Sequence, residues 1–456
     1  MIGGGVAGLA AALRLRERLP YARLTLYEGS PRFGGKLSTG ELAGGPVETG
    51  AEAFLMRDPA GGESAALALA RRVGLGDALV HPEPVPAAIA VDRRLRPVPR
   101  GTLLGVPSDL SALDGVAEPA ADADLDEGRP LLGPDEDVAV GELVRKRLGD
   151  QVVDRLVDPM LGGVYAGRAD GLSLAATMPG LARTCREHRT LLAAVRAAIR
   201  PDPAAGPVFA TVRGGLSRLV DAVVAALGPV DLRPGLPVRE LARTPDGWRL
   251  VAGPAPRPQV ATVDAVVLAV PARPASRLLA EVSPPAAAEL GAVEYASVGL
   301  VTLALPPIDL PTLSGFLVPA TEGRAVKAAT FFTRKWGHLR RADGTVVVRA
   351  SLGRHGEPEV LRRDDADLVA LVREELGELL GRPLPEPAAA LVTRWGGALP
   401  QYAPGHLQRV ARARAAVPAT VALAGAAYDG VGIPACVRSG ETAADKIISA
   451  LGGSVT

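Results

Sequence analysis

The chain begins MIGGGVAGLAAALRLRERLP, residues 1–20, in which glycines at positions 3, 5 and 8 precede a run rich in alanine and leucine. This Gly-x-Gly-x-x-Gly spacing is typical of the turn between a strand and a helix in a dinucleotide-binding unit. Gly3 permits the tight turn, Gly5 leaves the backbone open to a pyrophosphate, and Gly8 lets the helix pack closely on the sheet. The free N–H groups and the dipole at the start of that helix favour a phosphate. The stretch therefore predicts a nucleotide-binding turn over residues 3–8.

A second strand and an acidic residue follow at the separation that this motif requires. YARLTLYEGS, residues 21–30, has alternating apolar residues at Leu24 and Leu26 and reaches Glu28. Glu28 comes twenty residues after Gly8, where a carboxylate accepts hydrogen bonds from a ribose. Because only Met1 and Ile2 precede the turn, we expect either a very short first strand or further residues upstream.

The overall composition argues against several classes of partner and site. The 456 residues have a net charge of +1 and only 3% aromatic residues, so neither a basic surface nor a stacking platform for nucleic acid is indicated. Two distant cysteines, Cys185 and Cys436, and five separated histidines favour neither a disulfide framework nor a metal site. We therefore expect no metal and a reducing, cytoplasmic location. We expect no secretion signal and no transmembrane span, because the longest apolar run, near VDAVVLAVPA, is about half the length that a bilayer requires.

A second glycine-rich stretch, EGSPRFGGKLST at residues 28–39, follows the Glu28 strand directly. Its Gly34–Gly35 pair lies between Arg32 and Lys36. Glycines let the backbone approach a diphosphate, and the two cations neutralise it. Shortly afterwards VETGAEAF, residues 47–54, contains Gly50 and Ala51, a small pair that can lie against a flat cofactor ring without crowding it.

The C-terminal stretch LAGAAYDGVGIPACVRSGETAAD, residues 423–445, supplies a third element of the same kind. Gly425 follows a predicted strand, Gly430 and Gly432 form a further turn, and Ile433–Pro434 begin a helix. The N-terminus of such a helix, aimed at the pyrimidine end of a flavin, stabilises the negative charge of the reduced ring.

Nucleotide-type segments thus occur at the start, the middle and the end of the chain. Apolar residues at three- and four-residue steps predict helices over 138–200, and β-like runs occupy 293–355. We predict the α/β fold class with α+β inserts: a discontinuous FAD-binding, Rossmann-like domain, a β-rich substrate domain and a helical insert. The predicted bounds are 1–60, 205–272 and 415–456 for the FAD-binding domain, 61–104 and 273–414 for the substrate-binding domain, and 105–204 for a helical domain of the membrane-facing type.

The three cofactor elements together resemble those of the amine-oxidase-type flavoproteins. Further stretches narrow the resemblance to the protoporphyrinogen/coproporphyrinogen oxidases of haem biosynthesis: DPMLGGVYAGRADGLSLAATMP, FATVRGGLSRLV, GFLVP, FFTRKWGH, ALPQYAPGH and DGVGIPACV. The resemblance covers nearly the whole chain. GVYAG and PQYxxGH are the stretches specific to that family, whereas the opening motif is shared by many flavin enzymes.

The resemblance implies an FAD-dependent, oxygen-using oxidoreductase that converts coproporphyrinogen III to coproporphyrin III, with dioxygen as acceptor and hydrogen peroxide as by-product. Little side-chain acid–base chemistry is then needed, because the flavin takes a hydride and aromatisation of the ring drives the reaction. Protoporphyrinogen IX oxidation is the alternative within the family. An amine oxidase or desaturase on the same fold, and a flavin-fold binding protein without catalysis, are the rival classes. Peripheral contact with a membrane surface and hand-over of the product to a ferrochelatase stay open.

The resemblance also implies which residues form the site. FAD is expected to bind at Gly3, Gly4, Gly5, Val6, Ala7, Gly8, Glu28, Gly29, Arg32, Gly34, Gly35, Lys36, Gly50, Ala51, Glu52, Ala53, Val238, Trp395, Gly425, Gly432, Ile433 and Pro434. Of these, Val238 is equally an ordinary strand core residue, and Trp395 either covers the flavin or only packs. The substrate cavity is expected to be lined by Gly163, Val164, Tyr165, Ala166 and Gly167, with Phe331, Phe332 and Lys335 as its far wall. No residue is assigned as a catalytic acid or base.

One departure from the family pattern concerns the carboxylates of the substrate. Many relatives that use protoporphyrinogen have a basic residue where this chain has Ala87, so a propionate anchor carried over from them is in doubt. The alternative cations are Arg93, Arg168, Lys327 and Lys335. We therefore expect an open, partly solvated cavity rimmed by scattered arginine and lysine side chains.

Overall fold

The computed structural model describes residues 1–58, 61–113, 115–199 and 206–452. Up to residue 107 the helices and strands are α1 (Val6–Arg18), β1 (Thr25–Tyr27), β2 (Thr39–Leu42), β3 (Gly45–Glu48), β4 (Phe54–Leu55), α2 (Ala65–Arg72), β5 (Leu79–Val80), β6 (Ala87–Val91), β7 (Arg94–Pro97), β8 (Thr102–Leu103) and β9 (Val106–Pro107). A helical region follows, with α3 (Val140–Leu148), α4 (Asp150–Val152), a π-helical turn (Val153–Val157), α5 (Asp158–Tyr165), α6 (Leu174–Thr177), α7 (Pro179–Cys185) and α8 (Leu191–Ala198).

Strands and helices alternate in the remainder of the chain. They are β10 (Phe209–Val212), α9 (Ser217–Ala226), β11 (Asp231–Arg233), β12 (Val238–Thr244), β13 (Gly247–Ala252), β14 (Gln259–Val263), β15 (Val266–Leu268), α10 (Ala272–Leu279), α11 (Pro284–Gly291) and β16 (Tyr295–Leu305). After these come β17 (Gly315–Leu317), β18 (Val326–Phe331), α12 (Phe332–Lys335), β19 (Val346–Leu352), α13 (Asp365–Leu379), β20 (Ala389–Pro400), α14 (His406–Ala416), β21 (Val421–Leu423), α15 (Ala426–Asp429) and α16 (Ile433–Ala450). The α/β fold class with mixed inserts is confirmed.

The opening residues form the centre of a parallel sheet. β1 pairs with β11 and β15 pairs with β21, both in parallel, and Ile2 bridges in parallel to β1 and to β15. The N–H of Ile2 donates to Val267 O at 2.9 Å, and the N–H of Gly3 donates to Tyr27 O at 2.8 Å. The first strand is therefore very short but bonded on both sides. Since parallel strands end at one edge of a sheet, the turn after Ile2 lies where Rossmann-type sheets bind their ligands.

α1 and α16 pack on this sheet with their backbones almost in contact with each other. A Cβ atom added to Gly440 of α16 would lie 2.1 Å from Ala7 O of α1, so only glycine permits this approach. Alanines of both helices, with Val267 and Ala422 of the sheet, form one apolar cluster beneath them. The packing brings the N-terminal ends of α1 and α16 to the same edge of the sheet.

A second sheet faces that edge. Its seven strands lie in the order β20–β16–β19–β18–β17–β6–β7, and all neighbours are antiparallel except β17 and β6. One face packs against α13 through an apolar cluster that includes Val301, Phe316, Phe331 and Leu376. The other face is turned toward the glycine-rich turns, because successive side chains of a strand point to opposite faces.

The helical region packs around its own apolar core, which includes Leu143, Leu156, Leu161 and Leu181. The predicted three-domain division stays a prediction, and its bounds at 60, 204, 205 and 456 lie outside the described residues. Within the predicted substrate domain, α10, α11 and α14 contribute to the same apolar cluster as Ile2 and strands of the nucleotide-binding part. α10 and α11 follow β15 in the chain, and α14 directly precedes β21. Their apolar faces are therefore buried against strands that are close to them in the sequence.

A buried ion pair ties the helical region to the loop before it. Asp124, whose side chain is 2% exposed, accepts from Arg147 Nε at 3.2 Å and from the N–H groups of Leu191 and Leu192 at 2.6 and 2.8 Å.

We expect Asp124→Asn to lower the free energy of unfolding by about 3 kcal/mol, because it removes the buried one of the two carboxylates that pair with Arg147. Asparagine tolerates the left-handed backbone of residue 124 (φ 57°), so the change isolates the charge. Urea unfolding measures the effect. Glu127→Gln, which changes the more exposed partner of Arg147, is the control, and equal losses in both variants would contradict the assignment.

Candidate functional site

A cavity of about 1010 Å³ lies between the glycine-rich turns and the seven-stranded sheet. Ordinary ligand pockets occupy roughly 300–1,000 Å³, so this cavity is at the upper end of their range. One part of its lining comes from the ends of the parallel strands and the turns that follow them. The other part comes from the sheet, with Val298, Leu300, Ala328 and Thr330 among the wall residues. This division suits a large cofactor held beside a second molecule.

The first glycine turn has the geometry of a phosphate cradle. A Cβ atom on Gly8 would lie 1.9 Å from Gly3 O, so α1 starts in direct contact with the strand end. Gly5 is different: a Cβ atom there meets nothing within 4 Å, and the residue lines the cavity. α1 begins after Gly5 without a side-chain cap and without an acidic residue in its first turn. Its first N–H groups are therefore left for an anion in the cavity.

Glu28 lies beside this turn at the end of β1. One carboxylate oxygen accepts from the N–H of Gly4 and the other from the N–H of Ser30, both at 2.7 Å. Each oxygen keeps a further lone pair, and Glu28 lines the cavity. The residue is thus held rigidly where it can accept from the hydroxyls of a ribose.

The second glycine loop is attached to the first. The N–H of Gly34 donates to Gly4 O at 2.8 Å, and Gly35 and Lys36 line the cavity. Burial lowers the pKa of the Lys36 ammonium, which an anion bound in the cavity would raise again. Arg32 does not reach the cavity. Its guanidinium donates to the carbonyls of three loop residues, including Gly35 O at 2.8 Å, so it shapes the loop from behind.

Gly50, Ala51 and Trp395 form a flat part of the wall. A Cβ atom on Gly50 would lie 2.0 Å from Lys36 O and 3.4 Å from the Trp395 ring, so a larger residue would displace the loop. Trp395 Nε1 donates to Thr49 O at 2.6 Å, which fixes the indole against this segment. The arrangement leaves room for a planar ring, and the start of α16 with Ile433 reaches the cavity beside it.

The structure brings most of the predicted cofactor residues to one cavity. Those that line it are Gly3, Gly5, Val6, Ala7, Glu28, Gly29, Gly34, Gly35, Lys36, Gly50, Ala51, Glu52, Val238, Trp395, Gly425 and Ile433. Those that lie behind the lining are Gly4, Gly8, Arg32, Ala53, Gly432 and Pro434. Gly8 and Gly432 occupy helix-start positions, where the backbone rather than a side chain matters.

The segment Gly163–Gly167 differs from the expected cavity loop. Residues 163–165 are the last turn of α5, and Ala166 ends the helix in the left-handed conformation, with φ 51°. Gly163 lines the cavity, whereas Val164 is 41% exposed and Tyr165 packs edge-on against Tyr402. A Cβ atom on Gly167 would lie 2.1 Å from Gln401 Oε1. A helical turn presents its residues in different directions, so only one of the five reaches the cavity.

Phe331 and Phe332 do not form the far wall that we expected. Both side chains are buried, at 0% and 1% exposure: Phe331 lies in the apolar cluster against α13, and Phe332 in a separate cluster with Trp336. The pleat explains the difference, since Thr330 faces the cavity and Phe331 must then face the opposite side. Phe332 packs under the guanidinium of Arg349, 4.6 Å from the ring centre.

Lys335 is also not a cavity residue, because it is bound to Glu52. Glu52 accepts from Lys335 Nζ at 2.6 Å, from Arg349 Nη2 at 2.5 Å and from Trp336 Nε1 at 2.9 Å. Burial alone would raise the pKa of this carboxyl, but the two cations outweigh it and the pKa falls to about 2. Glu52 therefore stays ionised and holds the floor of the cavity next to Ala51.

The alternative cations are placed very differently. Arg93 is exposed in the turn between β6 and β7, and Arg168 is ion-paired with Asp158 at 3.2 Å. Ala87 is exposed and lies outside the cavity lining. Lys327 lines the cavity and is only 7% exposed. Three of these four cations are thus solvated or paired outside the lining, and the fourth is buried in the wall. Arg239 and Arg277, which were not named in advance, line the cavity.

Arg349, Ser351 and Leu300 line the cavity but were not predicted. Arg349 has a signal in the sequence: it interrupts the apolar run VVVRASL, and an isolated charge within a buried strand requires a partner. The partner, Glu52, is almost three hundred residues away, so the pair becomes visible only in the fold. Leu300 has no such signal, because an apolar residue in a strand predicts only a core position.

The fold and the cavity together define an oxidoreductase of the flavin-dependent class. A family model for flavin-containing amine oxidoreductases matches residues 6–448. Full-length relatives include the coproporphyrinogen III oxidases of Mycobacterium tuberculosis (strain ATCC 25618 / H37Rv), 38% identical over 100% of this chain and 98% of the relative, and Bacillus subtilis (strain 168), 31% identical over 99% and 98%. A crystal structure from Exiguobacterium sp. 255-15, provisionally named a protoporphyrinogen oxidase, is 30% identical with TM-score 0.85 over 99% of this chain and 98% of that one.

The chain belongs to the flavin-containing amine oxidoreductase family and is an FAD-dependent enzyme. Cyclohexylamine oxidase from Brevibacterium oxydans IH-35A, 18% identical with TM-score 0.70 over 99% of this chain and 98% of that one, shares the fold. The residues of the cavity fit the cofactor. The glycines leave a backbone channel that side chains would block, two helix N-termini offer N–H groups, and Lys36 supplies positive charge.

The opening motif yields a direct test. We expect Gly5→Val to fold but to lose FAD, because its side chain would enter open cavity space that the pyrophosphate needs. Residue 5 has φ −69°, so valine causes no backbone strain there. Flavin absorbance per chain and far-UV circular dichroism measure the two properties. The matched variant Gly8→Val should fail to fold, since its Cβ atom would meet Gly3 O. A folded Gly5→Val protein with full FAD content would refute the phosphate-cradle interpretation.

Two glutamates four residues apart should respond oppositely to neutralisation. Burial raises the pKa of Glu48 to about 7, although the hydrogen bonds from Leu216 N–H and the Thr39 hydroxyl lower it. An acid with a raised pKa costs stability as pH rises from its unfolded value through about 7, so Glu48→Gln should stabilise the protein at pH 8, by up to about 3 kcal/mol. Near pH 4, below the unfolded pKa of 4.5, the gain should vanish.

Glu52→Gln should instead destabilise the protein by about 3–5 kcal/mol at pH 7, because Lys335 and Arg349 lose their counter-charge. The contribution of ionised Glu52 to stability is present above the unfolded pKa and disappears as pH falls toward 2. The stabilities of the wild-type protein and Glu52→Gln should therefore converge in acid. Melting temperatures of the wild-type protein and both variants between about pH 2.5 and 8 test the pair. Parallel pH profiles would contradict the assigned environments.

Proposed function

We propose that this chain oxidises coproporphyrinogen III to coproporphyrin III, with dioxygen as the final acceptor and hydrogen peroxide as the by-product. The proposal is carried by one observation: relatives bearing the coproporphyrinogen III oxidase name align with this chain from end to end, at 38% and 31% identity. A cavity that extends from the cofactor turns to the face of a broad sheet supports it, because a tetrapyrrole is a wide and largely apolar molecule.

FAD supplies hydride acceptance, which is the chemistry that a porphyrinogen oxidation needs. The residues of the chain bind and orient the cofactor and the substrate. The turn at residues 3–8 holds the phosphates, and Gly50 with Trp395 brackets the space for the flat ring. Val298 and Leu300 give an apolar wall that excludes water on the side where a macrocycle would lie. The helix dipole at the start of α16 stabilises negative charge near Ile433.

Protoporphyrinogen IX is the second candidate substrate. The chloroplastic protoporphyrinogen oxidase of Nicotiana tabacum is 28% identical over 98% of this chain and 84% of that protein. The two macrocycles differ in their carboxylates, of which coproporphyrinogen has four and protoporphyrinogen two. Lys327, a buried cation of the cavity wall, can pair with a carboxylate of either macrocycle, so the choice between them rests on the relatives and on the turnover comparison below.

We also propose a cytoplasmic location. Among the described residues, no helix combines the length and the apolar character needed to cross a bilayer. Peripheral contact with a membrane surface, hand-over of product to a ferrochelatase and the three-domain division stay predictions. Vesicle sedimentation and pull-down with a ferrochelatase would test the first two of these.

Turnover by the purified holoenzyme tests the proposed reaction. Porphyrinogens prepared anaerobically are mixed with the enzyme in air, and porphyrin fluorescence, oxygen uptake and peroxide are followed. We expect three dioxygen consumed per coproporphyrin formed, and a higher kcat/KM for coproporphyrinogen III than for protoporphyrinogen IX. FAD-free Gly5→Val corrects for spontaneous oxidation. Higher kcat/KM for protoporphyrinogen would select the alternative, and turnover of amines but of neither porphyrinogen would overturn the proposal.

A further inference from the structure

Lys327 is a buried lysine whose side chain reaches the cavity. It lines the wall beside Ala328 of the same strand and is 7% exposed. Leu317 of the adjacent strand β17 is opposite Ala328, and both Leu317 and Gly163 of α5 line the same cavity. An ammonium group is rarely buried without a partner, because losing its hydration is costly. Its position therefore requires an explanation.

A β-bulge places the lysine there. β18 pairs with β19 with Val326 opposite Leu352 and Ala328 opposite Ser351, so Lys327 is an extra residue between two regular pairs. Val326 points into the apolar cluster on the α13 side, while Lys327 and Ala328 both line the cavity. Bulges commonly redirect a side chain next to a functional site.

The bulge is built into the surrounding structure. The carboxylate of Glu375 on α13 accepts from the N–H groups of Ala325 and Val326 at 3.0 and 2.8 Å, and Lys327 O accepts from Val318 N–H at 2.9 Å. These bonds satisfy the backbone around the irregular residue. The position of Lys327 is thus specified on both sides of the strand.

No carboxylate within the described part of the chain forms an ion pair or hydrogen bond with Lys327. Asp158 of α5 is bound to Arg168 and to the N–H of Ala169, and Glu375 is occupied by the backbone of β18. Another cation, Arg354, helps to lower the Lys327 pKa; its guanidinium donates to Val318 O at 3.2 Å and to Arg324 O at 2.9 Å, and it faces Glu357 at 4.0 Å. Arg354 thus has a carboxylate partner, whereas Lys327 has none among the described residues.

We propose that Lys327 Nζ is the anchor for one carboxylate of the tetrapyrrole, at the end of the cavity that Gly163 and Leu317 line. The inference rests on the proposed function and identifies the group that recognises the acidic side chains of the substrate. A propionate docked there forms a buried, charge-assisted pair with the ammonium group. Because the pair is shielded from solvent, its contribution is less sensitive to salt than that of a surface cation.

An anchor at Lys327 implies that the protein takes up a proton when a carboxylate ligand binds. Burial, assisted by the charge of Arg354, lowers the pKa of Lys327 to about 7 in the free protein. A docked carboxylate raises that pKa again, so at pH 8 a largely neutral amine gains a proton as the ligand binds. Other groups on the elements around it are Asp158 and Tyr165 on α5, Glu375 on α13 and Arg349 on β19. Burial raises the pKa of Tyr165 to about 12, well above this window.

Binding of coproporphyrin III, the product with four carboxylates, to the holoenzyme provides the test. Dissociation constants come from porphyrin fluorescence, and proton uptake comes from calorimetry in two buffers of different ionisation enthalpy at pH 8. Lys327→Met should raise the Kd about 10- to 100-fold and abolish the uptake assigned to this group. The neutral tetra-amide of coproporphyrin should bind both proteins equally. FAD content and melting temperature verify that each variant is folded.

Two further variants make the interpretation specific. Lys327→Arg should keep most of the affinity but show no proton uptake, because arginine is charged at every pH used. Lys146→Met, which removes an exposed lysine of α3, changes net charge equally and should behave as wild type. Unchanged coproporphyrin affinity in folded Lys327→Met, or no proton uptake by the wild-type protein, would overturn the anchor. Wild-type protein that neither binds nor oxidises porphyrins would instead refute the proposed function.

Discussion

The packing of α1 directly onto the strand end at Gly3 is the constraint on which the rest of the site depends. No side chain fits between Gly8 and Gly3 O, or between Gly440 and Ala7 O, so α1 is held against the sheet on one side and α16 on the other. This contact sets where both helices begin. Their N-termini, with the second glycine loop bonded to Gly4, therefore meet at one edge of the parallel sheet and leave a channel for a dinucleotide.

Charges in the cavity fall into two environments with different physical consequences. Glu52 is surrounded by donors, so its ionised form is stabilised and it joins the floor segment to β19 through Arg349. Lys327 is buried without a counter-charge among the described residues, so its ionised form is disfavoured until an anion arrives. The ion pairs of Glu52 stabilise the fold, whereas the Lys327 ammonium group gains a counter-charge only when an anionic ligand binds. The same low-polarity surroundings cause both effects.

The pleat of the strands decides which residues face the substrate side. In β18 the alternation sends Thr330 to the cavity and Phe331 to the core, and a single extra residue at 327 changes that assignment for the lysine. A motif such as FFTRKWGH therefore locates a segment correctly without telling which of its side chains reaches a ligand. The helical end at Gly163 shows the same limit, since one residue of its five lines the cavity.

The sequence by itself determined the class of fold and the family, and it predicted three glycine-rich cofactor elements, because these patterns follow from local backbone requirements. Gly8 is required by its contact with Gly3 O, and Gly3 by its positive φ of 104°, whereas Gly5 leaves open space in the cavity. Glu28 was predicted from its separation of twenty residues from Gly8. The tertiary structure alone decided that Arg32 supports its own loop, that Lys335 belongs to Glu52, and that Lys327 is buried in the cavity wall. These outcomes depend on side-chain partners that are far apart in the chain and on a bulge that changes which face of the sheet a side chain points to. Local sequence patterns predict neither.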